Sequence, residues 1–246
     1  MVSTRHNWIV PQWPVPPTVQ TLITTRFGGV STGQYASMNL GDTVGDDPEH
    51  VRENRRRLCL HLPSAPCWLQ QIHGDAVVEA DTVADLPPAD ASYTSKTDVV
   101  CAVRVADCLP ILLCDRNATS VGAIHAGWRG LYGGVIENAV GCMKVPPAEL
   151  MAYLGPAIGP TAFEVGEDVY SAFVDYDTRA AAAFRLHKPG KWFADLFVLA
   201  RQRLNNTGVE AIFGGTLCTY SDPARFFSHR RDKVSGRTAA LIWRSD

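Results

Sequence analysis

Short apolar runs rich in β-branched residues alternate along this chain with stretches whose apolar residues recur at helical spacing, the rhythm of an α/β protein. The runs predict strands over 21–26, 67–72, 76–80, 99–105, 111–114, 120–125, 150–154, 211–213 and 239–243. Helical spacing predicts helices over 131–142, 168–174 and 194–204. A fourth helix is expected over 47–60, DPEHVRENRRRLCL, where Pro48 suits the first turn and acidic residues precede basic ones as the helix dipole favours. Gly28-Gly29 ends the first strand, and turn-forming residues fill the loop to Gly45. With no internal repeat and no Gly-, Ser- or Pro-rich linker, residues 1–246 are expected to form a single layered α/β domain with mixed β-sheets flanked by helices.

Composition narrows the function classes. Hydrophobic residues make up 46% and charged residues 20% of the 246, an ordinary globular balance that can bury one substantial core. The formal net charge of -2 supplies no positive field to hold a polyanionic backbone, so nucleic acid is not an expected partner. No apolar run approaches the ~20 residues that span a bilayer, and the N-terminal MVSTRHNWIVPQWPVPP lacks the basic and apolar regions of a secretion signal. A cytoplasmic protein without a membrane partner is expected. The seven cysteines are odd in number, dispersed and free of any C-x-x-C pair, which fits neither a disulfide framework nor a zinc ribbon.

Chemistry gathers where three strand-like runs meet backbone-breaking residues: WLQQIHGD (68–75), VADCLP (105–110) and AIHAGWRG (123–130). Each puts a metal-competent or nucleophilic side chain, His73, Cys108 or His125, at a strand end, where the sheet holds it rigid while it faces open space. Taken singly each is weak, since a His beside Gly is commonly a turn residue and a buried Cys commonly inert. The three lie on different elements, so local spacing cannot assemble them.

Eight ordered segments decide the matter: TTRFGGVSTGQYASMNLG, VGDDPEHVRENRRRL, WLQQIHGD, ADASYT, ADCLPILLC, HAGWRGLYGGVIE, LGPAIGPTAFEVG and FFSHRRDKVSGR. In order, and over nearly the whole chain, they resemble the YfiH family, whose members have been called multicopper polyphenol oxidoreductases (laccases), peptidoglycan editing factors and purine nucleoside phosphorylases. The resemblance implies a compact α/β domain with zinc held by His73, Cys108 and His125, which would also be the catalytic residues. It implies phosphorolysis of adenosine, inosine and methylthioadenosine, with a hydrolytic deamination of adenosine. The partners are then purine nucleosides and phosphate. Arginine's planar fork suits phosphate, and Arg26, Arg129 and the run Arg225 to Arg237 are candidates. Where the family usually carries a tyrosine in FFSYRR, this chain has His229.

Other chemistries share the motif. Two His and one Cys also make a blue-copper ligand set, and copper can displace zinc in vitro. A multicopper oxidase, however, adds a trinuclear cluster with its own histidines, and this chain has seven in total. Cys108 could instead be a nucleophile activated by His125 or His73, in an amidase editing peptidoglycan precursors. A filled, non-catalytic metal module would want four ligands rather than three. Asp75, Asp90 and Asp107 are candidates for the acid that protonates a leaving purine, and the sequence does not set the oligomeric state.

Overall fold

The structure, a computed structural model, describes residues 7–83 and 86–246. In chain order the elements are β1 (Val19–Ile23), α1 (Pro48–Cys59), β2 (Val77–Glu79), β3 (Ala91–Thr94), β4 (Cys101–Val105), β5 (Leu109–Asp115), β6 (Val121–Ala126), α2 (Trp128–Gly133), α3 (Val135–Cys142) and β7 (Leu150–Leu154). There follow β8 (Glu164–Gly166), α4 (Glu167–Tyr176), β9 (Phe184–Lys188), β10 (Lys191–Ala194), α5 (Leu196–Thr207), β11 (Ala211–Gly214), α6 (His229–Asp232) and β12 (Thr238–Arg244).

Every residue of β5 and of β6 is buried, the signature of strands covered on both faces. They lie at the centre of a six-stranded mixed sheet of order β11-β7-β5-β6-β3-β2. One face packs on helices: Leu109, Ile111, Leu113 and Ile124 meet Leu131 of α2, Val135 and Ile136 of α3, and Leu199 and Leu204 of α5. The other face packs on a three-stranded antiparallel sheet of order β1-β12-β4, through Leu112, Cys114, Val121 and Ala123 against Ile23, Val103, Ala240 and Ile242. The alternate residues of β12, Ala239 and Leu241, turn away toward Leu58 of α1, as a period of two requires. The order of layers is thus α1, small sheet, large sheet, helices, and the α/β expectation holds.

The strand expected over 150–154 coincides with β7. Three expectations change. The helix expected over 131–142 is two helices, because Gly134 sits between them at φ 98, a left-handed conformation that ends one ladder and starts another. The strand expected over 67–72 is only a pair of isolated bridges, Cys67 to Cys101 and Gln70 to Pro88. Beyond Gln70 the amide groups of Ile72, His73 and Gly74 turn to a side chain, the carboxylate of Asp90. Finally, β8, β10 and β9 form an unforeseen antiparallel sheet, of which β9 is mostly exposed and β8 and β10 are short and mainly part-buried, so no long apolar run marks it. The seven cysteines are free thiols. No helix among the described residues is long and apolar enough to cross a membrane.

Candidate metal centre and cleft

Three pieces of backbone bring the chemistry together at one end of the large sheet. His125 lies in β6 opposite Pro110, so the start of β5 places Cys108 beside it. His73 arrives on the tight turn after residue 72 at φ 60. The candidate ligand atoms of His73, Cys108 and His125 all lie within 4.8 Å of one another, His73 being exposed, Cys108 half-buried and His125 buried. The two imidazoles meet edge to face with centroids 4.9 Å apart. Gly127 makes room: a Cβ there would fall 3.0 Å from Cys108 Sγ and 3.3 Å from His73 Cδ2.

Asp90 organises this group from beneath. Its fully buried carboxylate accepts from the amides of Ile72 (3.2 Å), His73 (3.0 Å) and Gly74 (2.7 Å), which shapes the His73 turn. It also meets His125 Nδ1 at 2.7 Å. An ionised carboxylate only accepts, so Nδ1 carries the proton and Nε2 is the atom left for a ligand role. Burial opposes ionisation of Asp90, but the His125 contact and the Gly74 and His73 amides prevail and lower its pKa. Burial likewise pushes the Cys108 thiol up, yet His125 and His73 outweigh it and bring the thiol down to about 6. Burial lowers His125, while the Cys108 sulfur and Asp90 raise it to about 9. A thiolate facing an imidazolium results, and a metal cation could take the place of the proton on His125 Nε2.

The residues fit a divalent metal. Two imidazoles and one thiolate are borderline-soft donors, three in number, and Asp90 supplies the carboxylate behind a ligating histidine that fixes its tautomer. Such a set leaves a position free on a mononuclear ion.

The three side chains border a cleft of about 640 Å³, walled by the 41–44 loop, Gln70, Gln71, Trp128, Ile158, Phe163, Leu196, His229 and four arginines, Arg104, Arg129, Arg230 and Arg237. Arg129 is exposed, lies 4.4 Å over the Trp128 ring, and its guanidinium makes no hydrogen bond among the described residues. Arg26 is not part of the cleft wall: it donates to Ala36 O (2.8 Å) and Pro223 O (2.9 Å) and lies over Phe227, tying two loops. Within the run 225–237, Arg225 pairs with Asp222 and Arg231 with Asp232, whereas Arg230 and Arg237 reach the cleft.

The three aspartates separate as well. Asp107, at φ 93 beside Cys108, accepts from Thr219 Oγ1 (2.6 Å), Ser228 Oγ (3.0 Å) and the Arg230 amide (2.6 Å) and so pins α6 to the site. Asp90 lies under the ligands, and Asp75 lies outside the cleft wall, bonded to Asn138. All three are candidates by sequence for the acid; in the structure Asp90 and Asp107 accept hydrogen bonds that position the three side chains.

A His-Cys-His group that could hold one metal ion, set at one end of a rigid sheet and opening on an arginine-lined cleft, is the class of site this fold presents. Residues 20–245 match the family described as multi-copper polyphenol oxidoreductase laccase. The chain is 53% identical to the purine nucleoside phosphorylase YfiH of Escherichia coli over 96% of its own length and 98% of that protein's. It is 51% identical to a purine nucleoside phosphorylase of Pseudomonas aeruginosa, over 98% and 100%. A crystal structure of a Neisseria meningitidis protein superposes with a TM-score of 0.95 at 52% identity, covering 98% of this chain and 100% of that one. The chain belongs to the YfiH family.

Proposed function

We propose that residues 1–246 act as one metal-dependent enzyme domain, a zinc-dependent purine nucleoside phosphorylase that cleaves adenosine, inosine and methylthioadenosine in the cytoplasm and deaminates adenosine as a side activity. The observation that carries this reading is the joint placement of the His73, Cys108, His125 group and unpaired arginine donors in one cleft, in a chain whose relatives bear that name. His73, Cys108 and His125 hold the ion, with copper an in vitro substitute; the bound ion supplies a Lewis acid and water activation near neutral pH.

The chain's own residues do the rest. Asp90 keeps Nδ1 of His125 protonated and holds the His73 turn, so the donor set is preorganised. Trp128, Phe163, Ile158 and Leu196 offer apolar walls to a purine, and the cleft's volume suits a nucleoside with a phosphate. Arg129, whose donors are unspent, meets the phosphate at the rim. In phosphorolysis a phosphate oxygen bonds to the sugar's anomeric carbon as the glycosidic bond breaks, its electron pair leaving with the purine, which takes up a proton. Arginines stabilise the anion and orient it for that displacement.

One observation favours a second reading. A thiol brought down to about 6 between two imidazoles is also how a cysteine nucleophile is activated, as in an amidase acting on peptidoglycan precursors. Cys108→Ala cannot separate the two, because both need the sulfur. Substrate and chelation do: adenosine is offered with and without phosphate and with a chelator, and adenine, ribose 1-phosphate and inosine are resolved by chromatography. Phosphate-dependent adenine release that chelation abolishes supports the proposal. Turnover of an amide unaffected by chelation, with adenosine untouched, sinks it in favour of the amidase.

A further inference from the structure

The four cleft arginines differ in how their donors are used. Arg104 is locked, donating to a carboxylate oxygen of Asp42 and to Leu69 O (2.8 Å), with Trp68 against it. Arg230 gives one nitrogen to Glu164 O (2.8 Å). Arg237 is half-buried and pairs with no carboxylate among the described residues. Its Nη1 donates to Ser235 O (2.8 Å), Ser235 Oγ (3.2 Å) and Gly236 O (3.0 Å), which leaves Nε and Nη2 without a protein acceptor.

The sheet sets Arg237 beside Arg104. Thr238 pairs with Val105 and Ala239 with Arg104, the last pairs of the ladder, so Arg237 lies one residue beyond them, near enough to Arg104 for the two charges to act on each other. Arg104, held by Asp42 and Leu69, adds fixed positive charge at this spot, while the free donors of Arg237 are the ones an oxyanion can reach. The arginine is held there: its amide donates to Asn39 Oδ1 (2.9 Å), and its stem lies so close to the 41–44 loop that a Cβ on Gly41 would fall 2.8 Å from its Cγ. The charges do not balance. Asp42 serves both Arg104 and Arg55, and nothing acidic is bonded to Arg237. Burial lowers the affinity of Arg237 for its proton, with Cys108 and Asp107 offsetting part of this and Arg104 adding to it. Surplus positive charge on a half-buried cleft wall favours a mobile anion.

We propose that Arg237, with Arg104 beside it, is a built subsite for a tetrahedral oxyanion, and that inorganic phosphate is its ligand. The anion site stands on the arginines; the identity of phosphate as co-substrate rests on the phosphorylase reading.

The test is titration of inorganic phosphate into metal-loaded wild-type protein, R237Q and R237K, followed by calorimetry, with KM for phosphate and for adenosine measured in parallel. R237Q is expected to weaken phosphate roughly 10- to 100-fold while leaving KM for adenosine unchanged, the scale of losing a charge-assisted hydrogen bond, and R237K to lie between. Labelling of the wild type with phenylglyoxal needs no variant: phosphate should protect Arg237, read by peptide mass. Phosphate binding through Arg237 without nucleoside cleavage would keep the subsite and remove the phosphorylase reading. Phosphorolysis by a folded R237Q with unchanged KM for phosphate, or protection confined to Arg129, would overturn the subsite and leave the phosphorylase reading intact.

Discussion

Asp90→Ala strikes the centre of the arrangement without touching a ligand. The wild-type carboxylate serves four N–H donors: the amides of Ile72, His73 and Gly74, and His125 Nδ1. Both partners of the Asp90–His125 contact are buried, with side-chain exposures of 0% and 3%, so removing the anion strands a raised-pKa imidazole. Breaking such a buried pair costs about 3–5 kcal/mol. The amides add little to that sum, since the turn at residues 72–73 is exposed and water can replace the carboxylate there. Losing the group that orients a ligating histidine lowers metal affinity by roughly 10- to 100-fold. Denaturant unfolding of the metal-free protein reads the first magnitude, and zinc competition against a chromophoric chelator reads the second. Asp90→Asn, which keeps one acceptor oxygen, should fall between, and the ring-NH resonance of His125 should be lost in the alanine variant. A variant within about 0.5 kcal/mol of wild type, binding zinc equally well, would refute the positioning role.

Four further outcomes are set by the geometry. In metal-free protein the Cys108 thiolate should titrate with a midpoint near 6, followed by alkylation rate or ultraviolet absorbance, and a midpoint at the ordinary thiol value of 9.0 would contradict the imidazole contacts. The same pair fixes a stability profile. Between pH 6.5 and about 9 the folded protein carries one proton on His125 and the unfolded chain carries one on Cys108, so the pair contributes no slope. Cys108→Ala removes the thiolate, the foremost of the groups that raise His125, so the imidazole should titrate below about 9, followed by its ring resonances against pH; a midpoint unchanged near 9 would contradict the contact. Gly127→Ala should leave the fold intact but weaken zinc by about tenfold, because its methyl reaches Cys108 Sγ and His73; unchanged affinity by competition would show that the site yields. Arg203, 6% exposed, joins α5 to Glu137 Oε1 (2.8 Å) and Tyr132 O (2.9 Å), and Arg203→Ala should cost about 2–3 kcal/mol by denaturation without changing metal affinity.

How far these features could be read from the sequence follows from what holds each one. Strands β5, β6 and β7 show up as apolar runs because both their faces are covered. The run 67–72 looks equally strand-like, but its last amides are taken by Asp90, a side chain whose position relative to them no local pattern records. The break at Gly134 did have a signal, the Gly133-Gly134 pair, which apolar spacing on either side overrode. Among site residues, His73, Cys108 and His125 were legible through family segments. The role of Asp90 was not, since His125 lies 35 residues away and meets it only across the β3–β6 pair. Arg237 lay undistinguished within the basic run offered for phosphate; two arginines of that run pair locally, and it is the place of Arg237 just before Thr238, where β12 joins β4, that brings it to the cleft.

The most direct measurement follows one preparation through metal removal and return. Metal per chain is determined by elemental analysis, and adenosine is assayed with phosphate before chelation, after chelation and after zinc is restored. The account predicts about one zinc per chain, with adenine and ribose 1-phosphate formed in equal amounts, lost on chelation and recovered with zinc. Adenosine cleavage that persists in metal-free protein, or no cleavage in protein carrying a full equivalent of zinc, would contradict it.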